Sequence, residues 1–195
     1  TLQKLGSQEL TFNPETVSLI PLIHELSRSF QEQWQDDKRK RLTLVVNEPP
    51  IITAETALES SLTLYIDSGH LRRILVELLT NAGNFSLPGT TVTLNVTEHI
   101  LAGNNQIAIA VTNIGRGISP EEQKYIFEPF RRGQGVIEQA IAGTGLGLAL
   151  VKGLVELLNG TIEISSHPTE ENSQAYVTTF TLTLPQLPPQ SKSLI

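Results

Sequence analysis

Glu77, Asn81 and Asn84 follow one another at spacings of four and three residues. At 100° per residue they share an arc of about 60° on one flank of a helix. Leu71, Ile74, Leu75, Leu78, Leu79 and Ala82 recur at the spacing of the neighbouring, apolar face. A Glu, Asn, Asn row beside such a stripe is either a solvated face or a polar site working under cover. Further along, Asn113-Ile114-Gly115-Arg116-Gly117 follows a β-rich run. Its two glycines stand where a strand ends and the backbone can approach a planar ligand. Gly143-Thr144-Gly145-Leu146-Gly147-Leu148 then opens a second amphipathic helix. Glycines let several N–H groups converge on one anion, at a helix start where the dipole is positive, and phosphate is the natural guest.

The G-x-G-x-G spacing is neither the G-x-G-x-x-G dinucleotide fingerprint nor the P-loop, whose lysine is absent. No βαβ unit surrounds it, which argues against a Rossmann domain. His24-Glu25-Leu26-Ser27-Arg28-Ser29-Phe30 superficially resembles a phosphoacceptor histidine motif. Its helix leads straight into strands with no second hairpin helix behind it, so a surface histidine is the better reading. His70, His99 and His167 stand apart from one another and from carboxylates at ligand spacing, and suggest neither a metal site nor a triad.

The elements that must position these residues can be read along the chain. Residues 1–11 form a connector. Ser18 caps a first helix with Pro21 in its opening turn, and Leu19, Ile23, Leu26 and Phe30 form the buried stripe. Lys38-Arg39-Lys40-Arg41 reads as a solvated helix end. Leu42–Val46 and Leu62–Ile66 are β-rich, and the long helix from Leu71 ends at Leu87-Pro88-Gly89. Thr91–Glu98 and Gln106–Thr112 alternate as adjacent antiparallel strands around a Gly103-Asn104-Asn105 turn. Ser119-Pro120-Glu121-Glu122 predicts a capping box and a short helix to about Ile126. The Gly147–Asn159 helix carries Leu148, Val151, Leu154, Val155 and Leu158 on one face, a Lys152–Glu156 pair on another, and Gly160 as C-cap. Thr161–Ser166 and Ala175–Leu184 form a last hairpin before a disordered, Pro-rich tail at 185–195. The order predicts an α+β two-layer sandwich, a mixed sheet covered on one face by helices.

Composition bounds the function. The chain has 195 residues, 39% hydrophobic and 17% charged, enough for one globular core. A net charge of -6 gives duplex nucleic acid little electrostatic footing. With no Cys there is no disulfide framework, zinc-thiolate site or Cys nucleophile. No apolar stretch approaches the roughly 18 residues of a membrane span. The chain begins with Thr and contains no Met, and so reads as an excised piece of a longer protein.

Taken together, the blocks resemble the histidine-kinase branch of the ATPase superfamily that includes gyrase, MutL and the Hsp90 chaperones. Glu77 through Ser86 is similar to its asparagine box, Asn113 through Gly117 to its first glycine box, Phe127-Glu128-Pro129-Phe130 to its phenylalanine box and Gly143 through Leu148 to its second glycine box. Asp67 before the helix also matches. Four blocks in order over roughly residues 12–184 are highly specific. The resemblance implies a Bergerat-type fold and an ATP-binding catalytic domain over 12–184, cytoplasmic whether or not the parent protein is membrane-anchored. Asn81 would hold Mg2+ bridging the phosphates of ATP, and Glu77 would polarise the attacking group or position the metal. Asn84, Phe85, Asn113, Gly115, Gly117, Ile118, Phe130, Gly143, Thr144, Gly145, Leu146, Gly147 and Leu148 would line the nucleotide. Residues 134–142 would be a lid, with Phe127 and Phe130 at its base unless they are plain core packing, and Arg132 near the γ-phosphate.

The implied partners are the phosphoacceptor and dimerisation domain of the parent kinase and a response regulator, with no nucleic acid and no membrane contact. Two positions depart from the pattern. Asn113 stands where the family has an Asp that accepts a hydrogen bond from the adenine amine, and Asn84 where it has a Lys. Weaker ATP binding follows, and with it a second reading as a degenerate, non-catalytic nucleotide-binding module. Another superfamily enzyme, an ATPase or an anti-sigma serine kinase, is a third.

Overall fold

The structure, a computed structural model, describes residues 12–49, 62–101, 104–129, 146–170 and 174–186. The connector at 1–11, the lid at 134–142, Phe130, Arg132, Gly143, Thr144, Gly145 and residues 187–195 of the expected tail lie outside them; its first two residues are ordered instead, Pro185 pairing with Gln106 at the end of the last strand and the Gln186 N–H donating to the Asn105 carbonyl at 2.8 Å.

The first element is a short strand, β1 (Glu15–Ser18), which runs directly into α1 (Leu19–Trp34). Ser18 stands at the N-cap, but its side chain makes no capping bond. The expected stripe is buried, and Leu22, Ser27 and Trp34 extend it. Two strands follow, β2 (Thr43–Asn47) and β3 (Thr63–Ile66). They do not pair with each other: β3 pairs antiparallel with β1, Glu15 opposite Ile66, as a separate two-stranded sheet.

The long helix α2 (Ser68–Phe85) starts one turn earlier than its apolar period suggests, because Asp67 caps it. The Asp67 carboxylate accepts the His70 N–H at 2.9 Å and the Asn13 N–H at 2.9 Å, so one side chain ties the entering chain to the head of the helix. Burial works against its charge, yet the amide N–H groups of Asn13, His70 and Gly69 and the His70 ring hold the carboxyl below its usual value. His70 is therefore not apart from carboxylates, since its Nδ1 lies 3.7 Å from Asp67.

The main sheet is completed by β4 (Thr91–Leu101), β5 (Asn104–Gly115), β6 (Thr161–Pro168) and β7 (Tyr176–Pro185), in the order β2-β4-β5-β7-β6. β2 and β4 are parallel and the other neighbours antiparallel, which makes the sheet mixed. Asn104 and Asn105 continue β5 rather than forming the turn, and Gly103 lies outside the described residues.

Alternation sends Val92, Leu94, Val96, Ile107, Ile109, Val111, Phe180, Leu182 and Leu184 into one core with the stripes of α1, α2 and α4 (Gly147–Leu157). Between β5 and α4 lies the short helix α3 (Pro120–Gln123). The result is the two-layer α+β sandwich expected. At the end of α4 it is Asn159, not Gly160, that takes the left-handed conformation, at φ 55°. The Asn159 and Gly160 N–H groups return to Glu156 and Val155, a Schellman ending. Among the described residues no ion pair joins Lys152 to Glu156; the Lys152 ammonium instead lies 5.9 Å from the Phe127 ring centroid.

The Lys38–Arg41 run is more than a solvated end. Lys40 Nζ donates to the carbonyls of Gly83, Asn84 and Ser86 at 3.1, 2.6 and 2.8 Å, closing the C-terminus of α2. Burial pushes its ammonium down from the ordinary value, with Asp37 opposing. Lys40→Met is expected to lower the unfolding free energy by about 1 kcal/mol. Urea denaturation would show this as a lower midpoint at unchanged slope, and an unchanged midpoint would mean that water caps these carbonyls equally well.

Candidate functional site

Glu77, Asn81, Asn84 and Phe85 emerge half-buried along the flank of α2 that its apolar stripe leaves free. Glu77 faces the start of α4: a methyl group on Gly147 would come within 2.8 Å of its carboxylate Oε2. Its other oxygen lies 3.2 Å from Arg73. The N-cap position of α4 is Leu146, which has no side-chain acceptor for the first-turn N–H groups. Among the described residues no side chain caps those donors, which with the positive end of the helix dipole suit an anion beside the Glu77 carboxylate.

The far end of α2 is joined to the end of β5. Ser86 bridges to Gly115, and the Leu87 N–H donates to the Ile114 carbonyl at 2.9 Å. The approach is so close that a methyl on Gly115 would lie 2.1 Å from the Phe85 carbonyl oxygen. The Arg116 guanidinium rests 5.7 Å from the Phe85 ring centroid. Gly117 takes φ 77° with its bare Cα against the Tyr176 ring, a position closed to a side chain on both counts.

Asn113, two residues before this junction, is 5% exposed and lies opposite Thr178 of β7. Ile118 follows, half-buried, its N–H donating to Ser166 Oγ at 3.0 Å; Ser166 in turn bonds the Thr178 hydroxyl at 2.8 Å. The Ser119–Glu122 capping box forms as the sequence predicts. Its helix is shorter than expected, ending at Gln123. Phe127 packs edge-on to Phe180 with centroids 6.3 Å apart, so it is rooted in the core.

The structure thus sets Glu77 against Gly147 at the head of α4, and Phe85 and Asn113 against Gly115 where α2 meets β5; Asn81 and Asn84 lie along α2 between these points, while Gly117 and Ile118 pack on Tyr176 and Ser166. Lys40, Ser166, Tyr176 and Thr178 support this arrangement although no motif marked them. Each lies remote in sequence from the segment it holds, so only the fold reveals it.

The donor set also bears on a divalent cation. Among the described residues no three His, Cys, Asp or Glu side chains gather into a cage. Asn81 and Glu77, one turn apart, offer oxygen ligands that fit a hard cation completed by phosphate and water. A carboxylate beside a phosphate site repels a bare polyphosphate, and a bound divalent cation would relieve that repulsion.

The profile of the family described as "Histidine kinase-, DNA gyrase B-, and HSP90-like ATPase" matches residues 66–188. The chain is 32% identical over 167 residues to the sensor histidine kinase TmoS of Ectopseudomonas mendocina, covering 86% of this chain and 16% of that protein. It is 38% identical over 136 residues to the sensor-like histidine kinase SenX3 of Mycobacterium tuberculosis (strain ATCC 25618 / H37Rv), covering 70% and 31%. The chain therefore spans less than a third of the length of these relatives.

Among solved structures, the mycobacterial sensor histidine kinase MprB superposes with a TM-score of 0.69 at 24% identity, covering 91% of this chain and 100% of that one. A nucleotide-free catalytic domain of the histidine kinase ThkA gives 0.67 at 18% identity, covering 89% and 96%. At such identities the likeness is one of fold. With the family profile and the geometry of α2, the β5 junction and α4, the chain belongs to the histidine kinase-, DNA gyrase B- and HSP90-like ATPases, in the form of a histidine kinase ATP-binding catalytic domain.

Proposed function

We propose that the chain binds Mg-ATP and presents its γ-phosphate to a histidine on a separate phosphoacceptor domain, from which a response regulator takes the phosphoryl group. The observation that carries this is the meeting of the Glu77 carboxylate with the head of α4, which no described side chain caps. The N–H groups of the first turn of α4 hold the phosphates. Asn81 would hold a magnesium ion through its carboxamide oxygen, and such an ion would supply neutralisation of the charge on the phosphoryl group. Glu77 orients or polarises the incoming imidazole. Asn113 and the bare edge of Gly115 meet the base, with Phe85 and Ile118 as its apolar walls. By the resemblance, Phe130, Gly143, Thr144 and Gly145, which lie outside the described residues, would join the nucleotide site, with Arg132 near the γ-phosphate and residues 134–142 as the lid.

Labelled ATP incubated with the full-length parent protein tests the transfer. Acid-labile, base-stable phosphate on a histidine outside this chain supports it, whereas bound ATP without transfer favours the regulatory module. Asn113 and Asn84 are what speak for that second reading, because together they withdraw a charge-assisted bond to the base and a cation from the asparagine box. Asn113→Asp is expected to tighten Mg-ATP about tenfold, the worth of a charge-assisted bond over a neutral one. Calorimetry on the two proteins reads this directly, and equal affinities would contradict the role given to Asn113.

A further inference from the structure

We infer that Asn113 makes the base subsite tolerant of guanine, so that the chain accepts Mg-GTP alongside Mg-ATP; this rests on the nucleotide-binding reading above. Asn113 is 95% removed from solvent (5% exposed), near the end of the strand where β5 meets α2. Among the described residues no hydrogen bond holds its carboxamide. The nearby hydroxyls of Thr178 and Ser166 are bonded to each other, and Ser166 also receives the Ile118 N–H. Its polar atoms are not among the fully buried ones that lack a partner, so water reaches the carboxamide, and a base that completes its bonds takes the place of that water.

A carboxamide has one accepting end and one donating end, interchanged by rotation of its terminal torsion. The bare Cα of Gly115 borders this group, its missing methyl lying 3.1 Å from Nδ2, so no Gly115 side chain fixes the rotation of the carboxamide. At carbon 6 adenine offers an amine that donates, and guanine a carbonyl oxygen that accepts. A carboxylate at this position only accepts, which favours the amine and repels the oxygen. Asn113 serves both: its oxygen accepts from adenine, and after rotation its N–H donates to guanine. Base selectivity comes from a group that punishes the wrong partner, and the amide removes the punishment.

Calorimetric titration of the 195-residue chain with Mg-ATP and Mg-GTP, in wild type, Asn113→Asp and Asn113→Leu, tests this, with melting curves as a check on folding. Wild type is expected to bind the two nucleotides within about tenfold of each other, and Asn113→Asp to widen the ratio by at least another tenfold or so, through tighter ATP and weaker GTP. Asn113→Leu, with neither donor nor acceptor, is expected to weaken both. Wild type that takes ATP and excludes GTP by about a hundredfold or more overturns the inference without any variant. So does an unchanged ratio in Asn113→Asp, or full affinity for both nucleotides in Asn113→Leu. Each of these leaves ATP binding itself standing, whereas failure of wild type to bind either nucleotide removes the nucleotide reading and this inference with it.

Discussion

Asn81→Ala is expected to weaken Mg-ATP binding by about 10- to 100-fold, the range seen when the support of a bound metal is removed. Asn81 lies half-buried one turn beyond Glu77, on the flank of α2 that faces away from its stripe. Its carboxamide oxygen suits magnesium because that ion prefers few protein ligands and keeps phosphate and water as the rest. Alanine is a strong helix former, so α2 itself should be unharmed and the melting temperature unchanged or slightly raised. The loss belongs to the metal-dependent part of binding. Titrations with and without EDTA should therefore differ in wild type and converge in the variant. Undiminished magnesium dependence in Asn81→Ala would remove Asn81 from the metal site.

Gly115→Ala has the largest expected effect on the fold. The added methyl would fall 2.1 Å from the Phe85 carbonyl oxygen and 3.1 Å from its carbonyl carbon, both backbone atoms that no rotamer change can move aside. Relief requires parting the end of α2 from β5, and with it the Ser86–Gly115 bridge and the Leu87 bond to Ile114. A destabilisation on the order of 3 kcal/mol is expected, at the upper end of overpacking costs. Nucleotide affinity should fall too, because Phe85 and Asn113 lie on the two sides of that junction. A Gly115→Ala chain with wild-type urea midpoint would show that the close approach is not needed.

What sequence reasoning reached and what it missed divide along a physical line. Features set by local periodicity or capping chemistry were visible: the stripe of α2, the Ser119–Glu122 box, and the alternation of β4, β5 and β7. The four residues of β1 carry too little pattern to read as a strand, and its pairing with β3 joins segments about fifty residues apart. Nothing local distinguishes that pairing from the β2–β3 neighbourhood that order along the chain suggests. The parallel register of β2 with β4 is non-local in the same way. Lys40 looked like one cation in a basic run, and only the fold shows that its ammonium reaches three carbonyls at the end of α2.

For the site, residue types and spacing were enough to single out the segments, because a polar flank on α2 and glycines at turns are local signatures. They could not supply the meeting of Glu77 with Gly147, which joins residues seventy positions apart. Nor could they supply the Ile118–Ser166–Thr178 hydrogen bonds that hold the first glycine box to β6 and β7. Asp67 was noticed as part of a pattern, but its physical work is to cap α2 and to hold Asn13, so that the chain entering the domain and the helix carrying Glu77 and Asn81 share one carboxylate.

The most direct test of the central claim is displacement of a fluorescent ATP analogue from the 195-residue chain by unlabelled ATP, with magnesium and with EDTA. The account predicts a single saturable site that ATP empties in competition and that loses most of its affinity when magnesium is removed. Absence of saturable binding at millimolar ATP with magnesium would contradict it, because the head of α4 and the Glu77–Asn81 flank would then hold no phosphate.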